Sequence, residues 1–221
     1  MKLTEPDSVQ IYIFRHGETD WNRERRFQGH TDIALNENGR NQALELRKPI
    51  ADLKPELILS SDLSRASETA KIVSEGLFIP IHLSEALREA RLGAPEGQLR
   101  DDIIRIYGED NWQKWLSVDP VHIDFCYPEG ETKRQTRDRA MNFISQEIKT
   151  RPNLKTLAVS THGGTLRRVV HHCEGAPAEP IPIPNCSLYH LELQRPTGST
   201  EGKWIYHGAL NILDSADKLF R

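Results

Sequence analysis

Short apolar runs alternate with amphipathic stretches along most of the chain. Residues 9–14, VQIYIF, combine β-branched and aromatic side chains as a buried strand does. In residues 36–53 the apolar side chains recur at three- and four-residue intervals, which predicts a helix. Further strands are predicted at 56–61, 79–83 and 155–161, helices at 62–77, 131–149 and around 165–173, short helices at 98–108 and 111–117, and a final β-pair at 186–194 and 203–210 around a turn-rich stretch.

Strands that alternate with helices favour an α/β fold. Parallel neighbours are joined by right-handed crossovers, whose helices pack on the sheet. We therefore predict a mostly parallel central sheet with helices on both faces. Glycines and prolines interrupt the pattern between residues 85 and 131, so this variable segment is expected to shape the substrate pocket or a lid. The sequence has no internal repeat or linker, which predicts one domain over residues 1–221.

The composition narrows the class of protein. The 221 residues are 37% hydrophobic and 28% charged, with a mean hydropathy of -0.58, as in soluble globular proteins. No window approaches the about 18 uncharged apolar residues that a membrane span needs, and the first ten residues lack the apolar core of a secretory signal. We expect a cytoplasmic protein without a membrane partner.

Charge and cysteine content exclude two further classes. A formal net charge of -3 argues against a nucleic-acid polymer as partner, because such proteins present a basic face. The cysteines, Cys126, Cys173 and Cys186, are odd in number and lack CxxC or CxxH spacing, so neither a disulfide framework nor a zinc site is predicted. An anionic ligand must then be held by a local cluster of cations.

Reactive side chains follow the ends of three predicted strands. Arg15 and His16 come directly after the first strand. Arg65 lies just inside the helix that follows the second, and His162 comes after the strand at 155–161. In open α/β sheets the ligand crevice lies beyond the carboxyl ends of the strands. We expect Arg15 and His16 to face this crevice rather than to be buried.

Four motifs at these strand ends resemble those of the histidine phosphatase superfamily, the phosphoglycerate-mutase-like fold. They are RHGETDWN at 15–22, FQGHTDIALNENGRNQA at 27–43, SSDLSRASETA at 60–70 and STHGG at 160–164. Four motifs in order are far more specific than the tripeptide RHG alone. The resemblance covers nearly the whole chain and implies an enzyme that forms a phosphohistidine, with no metal and no other cofactor.

These residue types suit attack on a phosphomonoester. A neutral imidazole reaches phosphorus only when the nearly two negative charges of the ester are neutralised by fixed donors. The guanidinium forks of Arg15 and Arg65 match phosphate oxygens. His16 is the expected nucleophile. His162 is expected to donate to the phosphoryl oxygens, assisted by the helix amino terminus at Gly163.

The resemblance adds binding residues and an acid. Asn22 belongs by resemblance to the phosphate pocket, and Thr19 is included with it. The family places a glutamate after the third strand, where Glu85, Glu89 and Glu96 are candidates. Only Glu89 stands in the family's L-x-E-x-x-x-G context, so we assign it to protonate the leaving alkoxide and then to activate water.

Some of these residues also allow a structural interpretation. Arg65 could be a helix-surface arginine paired with Asp62 or Glu68. His171 and His172 are predicted to stabilise the negative end of their helix or to face solvent. Five basic residues could add a second anionic contact, although dispersed surface charge is the favoured interpretation for them: Arg91, Arg100, Arg105, Lys133 and Arg134.

Departures from the family pattern favour a phosphatase. Cofactor-dependent mutases of the family carry E-R-H-Y-G from the catalytic glutamate, whereas this chain has EARLG at 89–93. The expected function is a phosphomonoesterase for small phosphorylated metabolites, such as sugar phosphates or nucleotides. The alternatives are mutase-type phosphoryl transfer and a non-catalytic phosphate-binding module, the latter disfavoured because both His16 and Glu89 are present. The sequence leaves a homodimer open.

Overall fold

The computed structural model describes residues 7–195 and 202–211. Within these residues the strands are β1 Ser8–Arg15, β2 Leu57–Ser61, β3 Ile81–Ser84, β4 Thr156–Thr161, β5 Leu188–Gln194 and β6 Lys203–Asn211. The α-helices are α1 Asp20–Arg23, α2 Glu37–Leu53, α3 Ser64–Ser74, α4 Arg100–Tyr107, α5 Glu109–Leu116, α6 Lys133–Lys149 and α7 Gly163–Val170, with 3₁₀ turns at Glu85–Leu87 and Pro120–His122. Most of the predicted turn-rich stretch, residues 196–201, lies outside the described residues.

The strands form one sheet in the order β3–β2–β4–β1–β5–β6. The first four run parallel, since β2 pairs in this sense with both β3 and β4, and β4 with β1. β5 is antiparallel to β1, and β6 is antiparallel to β5. The predicted mostly parallel α/β sheet is confirmed, and its antiparallel edge is the predicted final β-pair.

Helices cover both faces of this sheet. Val9, Ile11 and Ile13 point to one face of the sheet and pack in one core with α6 and α7. Phe14 turns to the other face and packs in a second core with α2 and α3. Full burial of each such side chain stabilises the fold by about 1.5–3 kcal/mol. The two cores hold the central strands in place. The carboxyl ends of β1, β2 and β4 therefore form a rigid edge of the sheet, which is called the rim below.

The variable segment forms a third, smaller core. Trp112 and Trp115 of α5 pack there with Tyr127 and Leu92. The last residue of α5 and the segment after it, residues 117–120, line the cleft described below. The part of the segment in shaping a substrate pocket and its motion as a lid both stay predictions.

The five basic residues considered as a second anionic contact have different environments. Arg91, Arg105 and Arg134 are exposed, as dispersed surface charge requires. Arg100 instead lines the cleft. For Lys133 the surface interpretation was wrong, because its side chain is only 2% exposed and its ammonium donates to backbone carbonyls at the end of α5. Those carbonyls lack partners within their own helix, so a cation satisfies them.

None of the helices in the described part of the chain combines the length and the apolar character needed to cross a bilayer. Within the same ranges, no group of three or more His, Cys, Asp and Glu side chains is arranged to hold a metal ion. The helix α1 escaped sequence prediction because its four residues are too few to show a period. It forms through a capping box between Thr19 and Asn22.

Candidate active site

Three strand ends meet at one point of the rim. Arg15, the last residue of β1, pairs with Thr161, the last residue of β4. Ser60 of β2 pairs with Ser160 of β4, which places the next residue of each strand side by side. The side chains that follow these strands are therefore brought together, as the topology of an open parallel sheet predicts.

The two predicted histidines are neighbours. The ring centroids of His16 and His162 lie 5.1 Å apart, and the ring planes are inclined by 59°. Both rings are buried, with exposed fractions of 3% and 0%. These two residues are 146 positions apart in sequence, so only the tertiary fold makes them a pair.

The expectation that Arg15 and His16 are not buried was wrong. Arg15 is only 8% exposed because one guanidinium nitrogen donates to the Ile183 carbonyl at 2.7 Å. The amide of Asn185 donates to the His16 carbonyl at 3.0 Å. The segment that precedes β5, the neighbour of β1 in the sheet, thus covers the end of β1.

His16 has a defined tautomer. Its Nδ1 lies 2.7 Å from the Gly17 carbonyl oxygen, which can only accept, so Nδ1 carries the hydrogen. Burial holds the pKa of His16 well below its usual value, and the positive charges of Arg65 and Arg15 lower it further. The ring is therefore neutral near pH 7, and its Nε2 keeps a lone pair.

Arg65 fixes the second histidine. The buried guanidinium donates from Nε to Nδ1 of His162 at 3.2 Å. Its other two nitrogens donate to the carbonyls of Thr31 and Gly29, each at 2.9 Å. Because Nδ1 of His162 accepts, the neutral ring carries its hydrogen on Nε2 and donates it to Ser61 Oγ at 2.8 Å. Burial lowers the pKa of Arg65 to about 10, so the guanidinium remains a cation at pH 7.

The surface interpretation of Arg65 is excluded by its environment. The side chain is fully buried. The acidic residues considered as its partners are engaged elsewhere: Asp62 binds Arg88, and Glu68 binds Arg40. Arg65 therefore belongs to the rim pocket and not to the outer face of α3.

Asn22 lines the cleft next to Arg15. Its amide oxygen accepts hydrogen bonds from Thr19 and, at 3.2 Å, from Nδ2 of Asn185. This leaves the NH2 group of Asn22 as the donor available to a ligand. Thr19 is fully buried and does not line the cleft, so its contribution is to orient Asn22.

Glu89 lies at the amino end of α7. One carboxylate oxygen accepts from the backbone N–H of Gly164 at 2.9 Å, and the other accepts from Thr165 and Ala90, each at 2.9 Å. A Cβ atom at Gly164 would lie 2.5 Å from this carboxylate, so glycine is needed for the close approach. Helix amino termini attract anions, and here the protein's own carboxylate takes that place, directly after His162.

The other two candidate acids have other contacts. Glu85 is exposed and forms an ion pair with Arg88. Glu96 accepts hydrogen bonds from the backbone N–H groups of His30, Thr31 and Leu92. It thereby holds the loop at residues 29–31, whose carbonyls bind the guanidinium of Arg65. Of the three, only Glu89 bonds to the amides that follow the second histidine.

Arg15 and Asn22 of the pocket line a cleft of about 1730 Å³, whereas His16, Arg65, Glu89 and His162 lie behind its surface. Parts of residues 21–27 and 113–122 line it together with the proline-rich segment 175–185. Seven arginine and lysine side chains line the cleft against four carboxylates, although the whole chain is negatively charged. The local cluster of cations that an anionic ligand requires is therefore present.

Sequence reasoning missed the proline-rich wall and its anchors. Asn185 was not predicted as a site residue, because nothing in IPIPN indicates an amide that binds the His16 carbonyl and Asn22. For His171 the predicted helix-end or solvent role was wrong: its ring binds the Pro177 carbonyl at 3.1 Å and the Ile181 N–H at 3.3 Å. Burial and the charge of Arg167 lower the pKa of His171 to about 4, which keeps the ring neutral.

Comparison with known proteins agrees with this geometry. The family profile of the histidine phosphatase superfamily (branch 1) matches residues 11–202. The chain belongs to this superfamily. A probable phosphoglycerate mutase, GpmB of Escherichia coli, is 31% identical over 207 residues, covering 92% of this chain and 94% of the relative.

Solved structures share the fold. Bacillus stearothermophilus YhfR superposes with a TM-score of 0.76 at 28% identity, covering 92% of this chain and 98% of the other. A mycobacterial glucosyl-3-phosphoglycerate phosphatase, solved in complex with VO3, has a TM-score of 0.77 at 23% identity and covers 90% and 98% of the two chains. The proteins that this chain resembles thus include one named as a probable mutase and, by fold, one named as a phosphatase.

Proposed function

We propose that this protein is a phosphomonoesterase that hydrolyses small phosphorylated metabolites through a phosphohistidine at His16. The observation that carries the proposal is the neutral, buried imidazole of His16, whose Nε2 lone pair stands beside His162 and two guanidiniums. A neutral ring is a nucleophile, whereas an imidazolium is not. The proposed enzyme acts without a metal ion, in the cytoplasm, and on small substrates rather than a nucleic-acid polymer.

The cations and amides of the pocket complement a phosphoryl group. Arg15 and Arg65 supply fixed positive charge, which stabilises the oxygens as the P–O bond breaks. The NH2 group of Asn22 adds a neutral donor. On ligand binding, His162 would turn its Nε2–H from Ser61 to a phosphoryl oxygen. The His16 Nε2–P bond forms as the ester P–O bond breaks.

Glu89 completes the proton balance. An arriving phosphoryl group competes for the amides of Gly164 and Thr165, since a helix amino terminus binds phosphate. The ester arrives as its monoanion and passes its proton to the released Glu89 carboxylate, which gives it to the leaving alkoxide. In the second half-reaction the carboxylate takes a proton from water as the hydroxide attacks phosphorus, and His16 returns as the neutral ring.

Replacing Glu89 by glutamine tests this role. We expect hydrolysis of alkyl phosphates to fall by about 10²- to 10⁴-fold, because a poor leaving group needs the proton. Hydrolysis of p-nitrophenyl phosphate should fall far less, since p-nitrophenolate leaves unassisted. Steady-state rates for both esters give the comparison, with Glu96→Gln measured alongside. Equal slowing of both esters by Glu89→Gln would exclude Glu89 as the acid.

Gly164→Ala tests the placement of the acid without removing it. The added Cβ would stand 2.5 Å from the Glu89 carboxylate and displace it. We expect kcat/KM for alkyl phosphates to fall by about 10- to 100-fold, because even small misplacements of reacting groups slow a reaction strongly. Gly163→Ala is the comparison, since its Cβ would meet Arg15 at an ordinary 3.5 Å. A larger loss at Gly163 than at Gly164 would contradict the assignment.

Mutase-type transfer is the second candidate, because a probable phosphoglycerate mutase is 31% identical to the chain. Against it, residues 89–93 read EARLG in place of the mutase pattern E-R-H-Y-G. Incubation with 3-phosphoglycerate and a bisphosphate primer separates the two reactions. Free phosphate supports the phosphatase, and 2-phosphoglycerate without phosphate release supports the mutase. A protein that binds phosphate but produces neither is the non-catalytic module.

A further inference from the structure

The backbone carbonyl of Glu89 binds two side chains that have no part in the mechanism above. Nε2 of His30 lies 2.8 Å from this oxygen, and Nη2 of Arg139 lies at the same distance from it. A carbonyl oxygen only accepts, so the His30 ring carries a hydrogen on Nε2 and donates it. Glu89 is thus held at its main chain as well as at its carboxylate.

The main-chain bonds gain importance during the proposed reaction. The carboxylate of Glu89 leaves the amides of Gly164 and Thr165 when the phosphoryl group takes them, so these bonds then no longer fix it. The two bonds to the Glu89 carbonyl, and a third from Thr165 Oγ1 to the Arg88 carbonyl, do not involve these amides. They keep the carboxylate within a short range of positions, as proton transfer over hydrogen-bond distance requires.

His30 stands in the middle of the loop at residues 29–31, which is bound from two sides. The carbonyls of the residues before and after it accept from Arg65 at 2.9 Å each. Its own N–H and that of the next residue donate to the two carboxylate oxygens of Glu96, each at 3.2 Å. The His30 side chain therefore starts from a fixed backbone, and this loop connects Arg65 with Glu89.

The two donors to the Glu89 carbonyl differ in their other contacts. Arg139 also donates to the Ala86 carbonyl at 2.8 Å and forms an ion pair with Glu131 at 2.7 Å. Its loss would therefore disturb several segments at once. Among the residues that the structure describes, the His30 ring forms no hydrogen bond other than the one to Glu89. The contribution of His30 to the position of the acid can thus be removed on its own.

We infer that His30 is a positioning residue, which fixes the general acid Glu89 relative to the guanidinium of Arg65. The inference rests on the proposed function for the role of Glu89 as acid. The Nε2–H of His30 is engaged by the carbonyl, so His30 acts through Glu89 and transfers no proton itself. An imidazole with this hydrogen donates it whether the ring is neutral or charged, so the link does not depend on the protonation state of His30.

A pair of substitutions at His30 tests this role. Methionine and glutamine have similar length and flexibility, but only glutamine has an N–H to donate. We expect His30→Met to lower kcat/KM for alkyl phosphates by about 10- to 100-fold, mainly through kcat, because a misplaced acid slows the step that needs its proton. Hydrolysis of p-nitrophenyl phosphate should fall by less than about threefold, since p-nitrophenolate leaves without a proton. His30→Gln should restore most of the lost rate.

His190→Met is the matched control. His190 is half-buried as His30 is, and its Nε2 also binds one group, the Gln10 side chain, at 2.6 Å. Both methionine variants should lose about 2–4 °C in Tm, as the loss of one hydrogen bond does in a chain of this size. Only His30→Met should change the comparison of the two esters. Unchanged hydrolysis of alkyl phosphates by His30→Met, equal slowing of both esters, or a His30→Gln variant as slow as His30→Met would overturn the inference.

A readout without turnover separates this inference from the proposed function. Carbon-13 NMR of protein labelled at the glutamate carboxyl groups reports the surroundings of the acid, and the Glu89 signal is assigned by its absence in Glu89→Gln. We expect this signal to shift in His30→Met and to return in His30→Gln. A Glu89 signal that ignores His30→Met would overturn the inference. If the signal responds as expected but Glu89→Gln slows both esters equally, or the wild-type protein hydrolyses neither, the proposed function is wrong and the positioning of Glu89 by His30 stands.

Discussion

His16→Ala is expected to abolish the phosphoenzyme and to lower hydrolysis of every phosphomonoester by about 10⁴- to 10⁶-fold. No other neutral nitrogen in the pocket can replace it, because both nitrogens of His162 are bound, to Arg65 and to Ser61. The fold should survive, since the His16 ring makes one hydrogen bond, to the adjacent Gly17 carbonyl. Steady-state hydrolysis of p-nitrophenyl phosphate and thermal unfolding measure the two effects.

The same substitution at an exposed histidine is the control. His82 lies on edge strand β3, which β2 and β4 separate from β1, and its ring binds Glu147 at 2.9 Å. His82→Ala should retain wild-type turnover. Near-normal hydrolysis by His16→Ala would show that another group attacks phosphorus, and the proposed mechanism would then be wrong.

Arg65→Lys has the second largest expected effect, even though it keeps the positive charge. A lysine ammonium cannot reach His162, Thr31 and Gly29 together as the guanidinium fork does. We expect the free energy of unfolding to fall by about 2–4 kcal/mol, since buried carbonyls lose their donors. Turnover should fall by about 10²- to 10³-fold, because the fixed donor to the phosphoryl group is lost.

Arg40→Lys is the matched control for this variant. Arg40 forms an exposed ion pair with Glu68, and Glu68 is close in sequence to Arg65. An exposed pair contributes about 0–1 kcal/mol, so stability and turnover should change little. Chemical denaturation and steady-state kinetics on both variants separate the two environments. Equal effects at Arg65 and Arg40 would mean that the buried hydrogen bonds do not position the pocket.

The elements with a clear period could be predicted from the sequence. The helix expected at 36–53 is found at Glu37–Leu53, with Asn36 as its N-cap, because apolar spacing and capping agree there. Arg15, His16 and His162 could be placed at one rim for a topological reason. Parallel strands put their carboxyl ends on the same edge, whatever the distance in sequence.

The contacts that complete the site could not be predicted. Segment 175–185 has no period, and only the tertiary fold brings Asn185 to the His16 carbonyl. Arginine and lysine are mostly surface residues, so the burial of Lys133 runs against the residue-type expectation. The tautomers of the two histidines depend on hydrogen bonds to Gly17 and Arg65, which follow from coordinates alone.

The central claim is that the imidazole of His16 receives the phosphoryl group. The most direct measurement is rapid mixing with a phosphomonoester, quenching in alkali, and mass-spectrometric location of the bound phosphoryl group. Alkali preserves a phosphoramidate, whereas acid removes it. The account predicts a transient phosphoryl group on Nε2 of His16, formed and lost at rates compatible with turnover. Turnover with the phosphoryl group on another residue, or with none on the protein at any time, would contradict it.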